Sequence, residues 1–439
     1  METNSGISLW QRALRAIPGG NGLLSKRPDR YAPDIWPTYY SKAEGIRVCD
    51  LDGNEYVDMA QMGIGAAILG YANPEVSAAV CEAVQGGVCS TLNCPEEVLL
   101  AERLLELSPG MGGVRFARTG GEAMAMSVRI ARAASGRDKV AFSGYHGWSD
   151  WYLAANIAGE NSLDAHLLPG LSTRGVPAGL RGSAVAFLYN DVADFEKVMQ
   201  ENPDVGVICI EGARYDFPSS EFLEAITTRA RERNIVVISD EITSGWRMTD
   251  GGVYKLNGFA PDIVVYAKAM GGGFAMAAVV GRDWIMEASQ ETFISSTMWT
   301  ERVGFAAALA TINVITRDRT WEHLVAVGQH IGDGWGRLAE KHGLNIKVTD
   351  FKPLITFKLC YGERNNDLLT LFIQEMLERK YLAASSVYVS AAHDHAAVDN
   401  YLVSVDEVFA VLAQAVEKGD EAARLRTRSR SDAFRRLTR

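Results

Sequence analysis

The sequence predicts an α/β protein, with a large domain on a mainly parallel, doubly wound sheet and a smaller α+β domain. Three observations carry this. Six short apolar runs rich in β-branched residues occur at 114–117, 140–142, 184–189, 205–210, 235–239 and 263–266. Runs of that length and character suit strands covered on both faces. Helix-patterned stretches such as 96–107 and 122–134 alternate with them, which is the signature of βαβ units. Finally, 439 residues exceed what one simple core accommodates.

In chain order, an amphipathic stretch at 9–17 is stopped by Pro18-Gly19-Gly20. Segments 45–50 and 55–59 flank Asp52-Gly53, a favoured tight-turn dipeptide, and read as a hairpin. The α/β alternation follows, from about residue 75 to 310. Beyond Ala306 the pattern is helical to about Lys341, after which strand and helix mix. The expected organisation is an N-terminal segment, 1–65, joining a small domain; a large domain, 66–315; and a C-terminal small domain, 316–439. The tail from Arg424 carries seven arginines and reads as a frayed or solvated helix end.

Composition narrows the function. Hydrophobic residues make up 47% and charged residues 22%, an ordinary globular balance. The net charge of −10 disfavours nucleic acid, whose phosphates need a basic surface. No apolar run approaches the ~20 residues that span a bilayer, and residues 1–9 lack the basic and apolar pattern of a secretory signal. The six cysteines form no CxxC pair, which suits reduced thiols and a cytoplasmic location. His393-Asp394-His395 has no further ligand at metal spacing and reads as a loop, so no metal is expected.

Ligands of open α/β sheets bind beyond the carboxyl ends of the strands, and four such ends carry suggestive chemistry. Thr119-Gly120-Gly121 opens the helix at 122–134. Small residues at a helix N-terminus leave N–H groups for a phosphate, and Thr119 can add a hydroxyl. Tyr145-His146-Gly147 offers a ring that can stack on a flat heterocycle. Asp240-Glu241 ends a buried run, where a carboxylate needs a partner such as a protonated pyridine nitrogen. Lys268 lies between a buried run and Gly271-Gly272-Gly273, where a desolvated amine has a depressed pKa and becomes a nucleophile. Singly, each has a plain alternative: a turn, a packed loop aromatic, a helix cap, a salt-bridged lysine. The weight lies in their combination.

That combination, a glycine turn, Tyr-His-Gly, Asp-Glu-Ile and a lysine before three glycines, resembles class III aminotransferases. Within them it is most similar to glutamate semialdehyde aminomutase and its relatives, from Ile17-Pro18-Gly19-Gly20 through Thr297. The resemblance implies the fold type I architecture of pyridoxal-phosphate (PLP) enzymes. It assigns Lys268 as the Schiff-base lysine and proton shuttle, and Asp240 as partner of the pyridine nitrogen. Ile242 would pack under the ring and Tyr145 over it, with His146 and Glu211 in the cofactor-binding set. Gly120 and Gly121 match the phosphate turn, where the family more often has Gly-Thr or Gly-Ser; Thr119 is the available compensating hydroxyl. Thr297 matches a threonine that reaches the phosphate of a neighbouring subunit, which implies a homodimer with shared active sites. Gly212 follows Glu211 where the family has proline.

The substrate is less legible. Trp148, Trp246 and Trp299 offer flat surfaces suited to sugars or nucleosides. Arg214, Arg247 and Arg302 can clamp a carboxylate or phosphate, and Arg27 lies near the family's substrate-carboxylate arginine. The segment Met298-Trp299-Thr300-Glu301-Arg302 departs from the aminomutase pattern, and segments 143–152 and 241–247 are also unlike it and are similar to aminomutase-like aminotransferases of surface-polysaccharide and natural-product pathways. The expected reaction is amino transfer from an amino donor to an aldehyde or keto acceptor, with the aminomutase reaction as the alternative. A nucleotide-binding dehydrogenase would need a G-x-G-x-x-G turn, which Ala117-Arg118-Thr119-Gly120-Gly121 does not supply. A non-catalytic scaffold on this fold would be expected to lack Lys268 or Asp240. A PLP racemase or decarboxylase is the nearer competitor.

Overall fold

The computed structural model describes residues 5–158, 162–166 and 169–432. The chain forms two compact units, one of Pro74–Glu322 and one of Met1–Asn73 with His323–Arg439.

The first strands of the second unit are β1 (Tyr40–Glu44), β2 (Arg47–Asp50) and β3 (Glu55–Met59). The β2–β3 turn forms because the Asp50 carboxylate accepts from the N–H groups of Asp52 and Asn54, and Gly53 supplies a φ of +81°. In the other unit come β4 (Gly113–Ala117), β5 (Lys139–Ser143), β6 (Ala184–Ala186), β7 (Val205–Glu211), β8 (Val236–Asp240), β9 (Ile263–Tyr266) and β10 (Ala277–Gly281). The C-terminal strands are β11 (Ile346–Val348), β12 (Leu354–Leu359), β13 (Tyr381–Ala383) and β14 (Ser386–Tyr388).

The Pro74–Glu322 unit is organised by a seven-stranded sheet in the order β4-β10-β9-β8-β7-β5-β6. The pairs β5–β6, β5–β7, β7–β8 and β8–β9 are parallel. β10 runs antiparallel to both of its neighbours. The alternation of runs did not reveal β10, because Ala277-Ala278 is weak strand text beside a glycine run. The run at 184–189 yields a ladder only at Ala184–Ala186.

Helices α1 (Ser5–Ala16), α2 (Pro74–Gln85), α3 (Pro95–Glu106) and α4 (Gly120–Ser135) precede or intersperse the first strands. α4 follows β4 and buries Met124, Val128 and Ala131 in a core shared with Val207, Ile238 and Val265. The long helical stretch after residue 306 is two helices, Arg302–Asp318 and Thr320–His342, divided where Arg319 adopts a φ of +48°.

The other unit holds two sheets, β1-β2-β3-β13 and β11-β12-β14. The expectation of a frayed arginine tail is corrected. Arg428 pairs with Asp34 at 2.9 Å, and Arg430 donates to Asn366 and to the carbonyl of Arg30 at 2.8 and 3.0 Å. These bonds pin residues 424–432 to the unit. Residues 433–439, the rest of that tail, lie outside the described residues.

Candidate active site

Five strand ends converge on one edge of the large sheet. β4 leads to Thr119, β5 to Tyr145 and His146, β7 ends in Glu211, β8 in Asp240, and β9 leads to Lys268. Glu211 and Asp240 are register partners on adjacent parallel strands. The polar tips are neighbours because parallel pairing holds consecutive carboxyl ends level.

Asp240 is buried. Its Oδ1 accepts from the Ile242 N–H at 2.9 Å, and its Oδ2 lies 2.8 Å from His146 Nδ1. His146 is fully enclosed, and its Nε2 faces the Ser143 carbonyl at 3.1 Å, with the Cys209 sulfur at 3.7 Å. A carbonyl and a carboxylate only accept, so both ring nitrogens are called on to donate, and the imidazolium fits this slot. Burial works against that charge, but Cys209 and Asp240 outweigh it and raise the His146 pKa well above its ordinary value. Burial also pushes the Cys209 thiol up. His146 therefore stands behind Asp240 as its brace.

Lys268 occupies the left-handed region, at a φ of +47°. A non-glycine residue held there marks a conformation that its surroundings over-determine. Its Nζ donates to Thr243 Oγ1 at 2.9 Å. Desolvation, followed by the Arg214 and Arg247 charges, lowers its pKa to about 7, which leaves a substantial neutral fraction under ordinary conditions. Arg247 is fully buried and donates through Nε to the Thr243 carbonyl at 2.7 Å.

Glu211 accepts from the Tyr145 N–H at 3.2 Å and pairs with Arg214 at 2.5 Å. Burial alone would raise its pKa; Arg214 outweighs that and lowers it. The Arg214 guanidinium lies 6.0 Å from the centre of the half-buried Tyr145 ring.

At the head of α4, Thr119 and Glu122 form a reciprocal capping box. The Thr119 hydroxyl, expected to serve a phosphate, donates instead to Glu122 at 3.0 Å and accepts its N–H. The N–H groups of Gly120 and Gly121 lie outside that box and are the free donors of the helix start. A Cβ at Gly120 would come within 2.9 Å of Ile242 Cδ1, and one at Gly121 within 3.0 Å of Trp148 Nε1. Glycine is what lets the turn lie flush against both side chains.

The remaining candidates are dispersed. Trp148 is 73% exposed beside Gly121, whereas Trp246 is buried. Trp299 is half-buried, with its indole N–H 3.4 Å from Glu122. Thr297 is exposed at the start of a short 3-10 turn. Arg302 is drawn away by Glu96 at 2.6 Å, and Arg27, in the other unit, is bound by both oxygens of Asp29. Sequence reasoning overlooked Thr243, Cys209 and Arg118. The Arg118 guanidinium donates to the carbonyls of Met298, Trp299 and Glu301, tying the Thr297 segment to the glycine turn. Its position directly before that turn was the one available signal.

These residues fit pyridoxal phosphate. Two free amides at a helix start suit a phosphate, a buried carboxylate suits a protonated ring nitrogen, Ile242 and Tyr145 suit the faces of a flat ring, and Lys268 suits an aldehyde. Fold and site together define a PLP-dependent enzyme.

Known proteins agree. The family model for aminotransferase class-III matches residues 30–349. The chain is 32% identical to a 3-aminobutyryl-CoA aminotransferase of Cloacimonas acidaminovorans, over 80% of this chain and 83% of the relative. It is 30% identical to a glutamate-1-semialdehyde 2,1-aminomutase of Neisseria gonorrhoeae, over 92% and 98%. A transaminase solved with PLP bound superposes with a TM-score of 0.84 at 25% identity, over 94% of this chain and 99% of that one. The chain belongs to the class III aminotransferase family. It is a fold type I, PLP-dependent enzyme whose substrates are an amino donor and a carbonyl acceptor. No helix among the described residues is long and apolar enough to cross a membrane.

Proposed function

We propose that this enzyme takes the amino group of a donor bearing an anionic group and delivers it to a separate aldehyde or ketone, working as a cytoplasmic homodimer. The observation that carries this reading is the Lys268 amine, half neutral near pH 7 and flanked by the charges of Arg214 and Arg247. Such surroundings favour a substrate carboxylate or phosphate. When bound, PLP supplies an aldehyde that takes up amino groups and a ring that accepts an electron pair. Lys268 Nζ removes the proton from the donor carbon and returns it on the acceptor half. Asp240, braced by His146, holds the proton of the ring nitrogen. Tyr145 and Ile242 would pack against the flat ring and exclude water. Arg214, partly neutralised by Glu211, is the residue nearest to hand for the anionic group.

The dimer reading is supported by exposed apolar side chains in the Pro74–Glu322 unit, among them Leu92 at 80% and Phe293 at 87%. Exposure of Thr297 accords with service to a second subunit. Sedimentation of the purified protein at twice the chain mass is the expected result.

Donors carrying isotopically labelled nitrogen, supplied with separate keto acids or aldehydes, test the chemistry. Label is expected in the acceptor product, and Lys268→Ala should slow its appearance by roughly 10³-fold or more. Label that only migrates to the neighbouring carbon of one skeleton would identify the aminomutase reaction instead.

A further inference from the structure

Thr243 is unassigned by the family resemblance, yet it is the side chain that receives the Lys268 amine. It is 4% exposed. Its β-branched side chain has a restricted χ1, and its carbonyl is tied to the fully buried Arg247. The hydroxyl oxygen is thus a fixed acceptor, 2.9 Å from Nζ.

The chemistry of that acceptor matters. A carboxylate in the same place would bind the ammonium ion strongly and hold the lysine charged. A hydroxyl carries no charge, and its lone pairs accept from an amine and, more strongly, from an ammonium. It can hold the nitrogen in place while leaving it free to gain or lose a proton. The cationic neighbours and the loss of solvent then keep the two protonation states close in population.

We propose that Thr243 is the positioning residue for the freed ε-amine of Lys268: whenever that nitrogen is not joined to the cofactor, the Thr243 hydroxyl holds it at the strand end for proton transfer. This rests on Lys268 being the cofactor lysine. The left-handed backbone at Lys268 sets where the side chain starts, and Thr243 sets where it ends. Neither feature would be needed by a lysine whose only task was a surface ion pair.

The test compares Thr243→Val, isosteric without an acceptor, with Thr243→Ser, which restores the hydroxyl; Thr243→Ala replaces the valine variant if that fails to fold. The full-length protein freed of cofactor is labelled with an amine-reactive reagent across pH, and modification of Lys268 is read by peptide mass spectrometry. Loss of a hydrogen bond that favours the ammonium should lower the labelling midpoint of Thr243→Val by about one pH unit. Thr243→Ser should stay near wild type. In the loaded enzyme, kcat of Thr243→Val should fall by roughly 10- to 100-fold with the donor KM little changed, since positioning acts on proton transfer and not on binding. An unmoved labelling midpoint in Thr243→Val overturns the proposal. So does a serine variant as impaired as the valine, because packing of the methyl group would then be the cause. Failure of the underlying reading shows separately, as a Lys268→Ala protein that keeps full amino transfer.

Discussion

Two buried histidines, one in each unit, have opposite electrostatic fates. His146 is enclosed among Phe142, Trp151 and Tyr152, and both ring nitrogens meet acceptors, Asp240 and the Ser143 carbonyl. His393 is equally buried. Its Nε2 donates to the Asp58 carbonyl at 2.9 Å, but its Nδ1 receives the Ser390 N–H at 3.0 Å. A nitrogen that must accept cannot carry a proton. Burial then lowers the His393 pKa, while the neighbours of His146 raise its own. The same side chain at the same depth is a cation in one unit and neutral in the other. The lesson is that burial disfavours the charge of both rings, and only around His146 do the partners outweigh it. The cation braces the Asp240 carboxylate; the neutral ring pins a loop.

The contrast can be broken in four ways. The largest effect is expected for His146→Leu, which leaves Asp240 buried without its charged partner. Removing one member of a buried pair costs about 3–5 kcal/mol, measurable by urea denaturation. His393→Leu removes only neutral hydrogen bonds and should cost about 1–3 kcal/mol. If the two losses prove equal, the assigned charge difference is wrong.

The pH dependence separates them further. The raised pKa of His146 gives stability that is complete below the unfolded value of 6.5 and is lost as pH rises through the folded one. The lowered pKa of His393 gives stability present above 6.5 and lost as pH falls towards the folded one. Each proton contributes a slope of at most about 1.4 kcal/mol per pH unit. His393→Leu should therefore flatten the acid limb of a stability profile, and His146→Leu the alkaline limb. Identical changes on one limb would sink the distinction. The smallest effect belongs to Ser390→Ala. It deletes a hydroxyl 3.2 Å from Nδ1 but keeps the backbone donor, so stability should fall by less than about 1 kcal/mol. The His393 resonance should titrate as before by NMR, since the backbone N–H alone keeps Nδ1 an acceptor.

Much of the site was legible before folding. Lys268, Asp240 and the Gly120-Gly121 turn stand directly after apolar runs, and a strand followed by a polar tip is a local pattern. The parallel ladder, the helix starting at Gly120 and the Asp52-Gly53 turn follow from periodicity and turn chemistry, which act over a few residues. The antiparallel β10 was not legible, because strand direction is set by partners and not by the strand's own text. Arg302 illustrates the same limit: an arginine reads as a clamp until the fold brings Glu96 to it from 206 positions away in sequence.

By itself the sequence determined which residues could carry the chemistry, since residue type and position after a strand are local properties. Only the tertiary structure decided their states. His146 and Asp240 are 94 positions apart, and Lys268 and Thr243 are 25 apart. Whether a buried nitrogen donates or accepts, and so whether it is charged, depends on which groups the folded chain sets against it in a medium too poor in water to substitute for them.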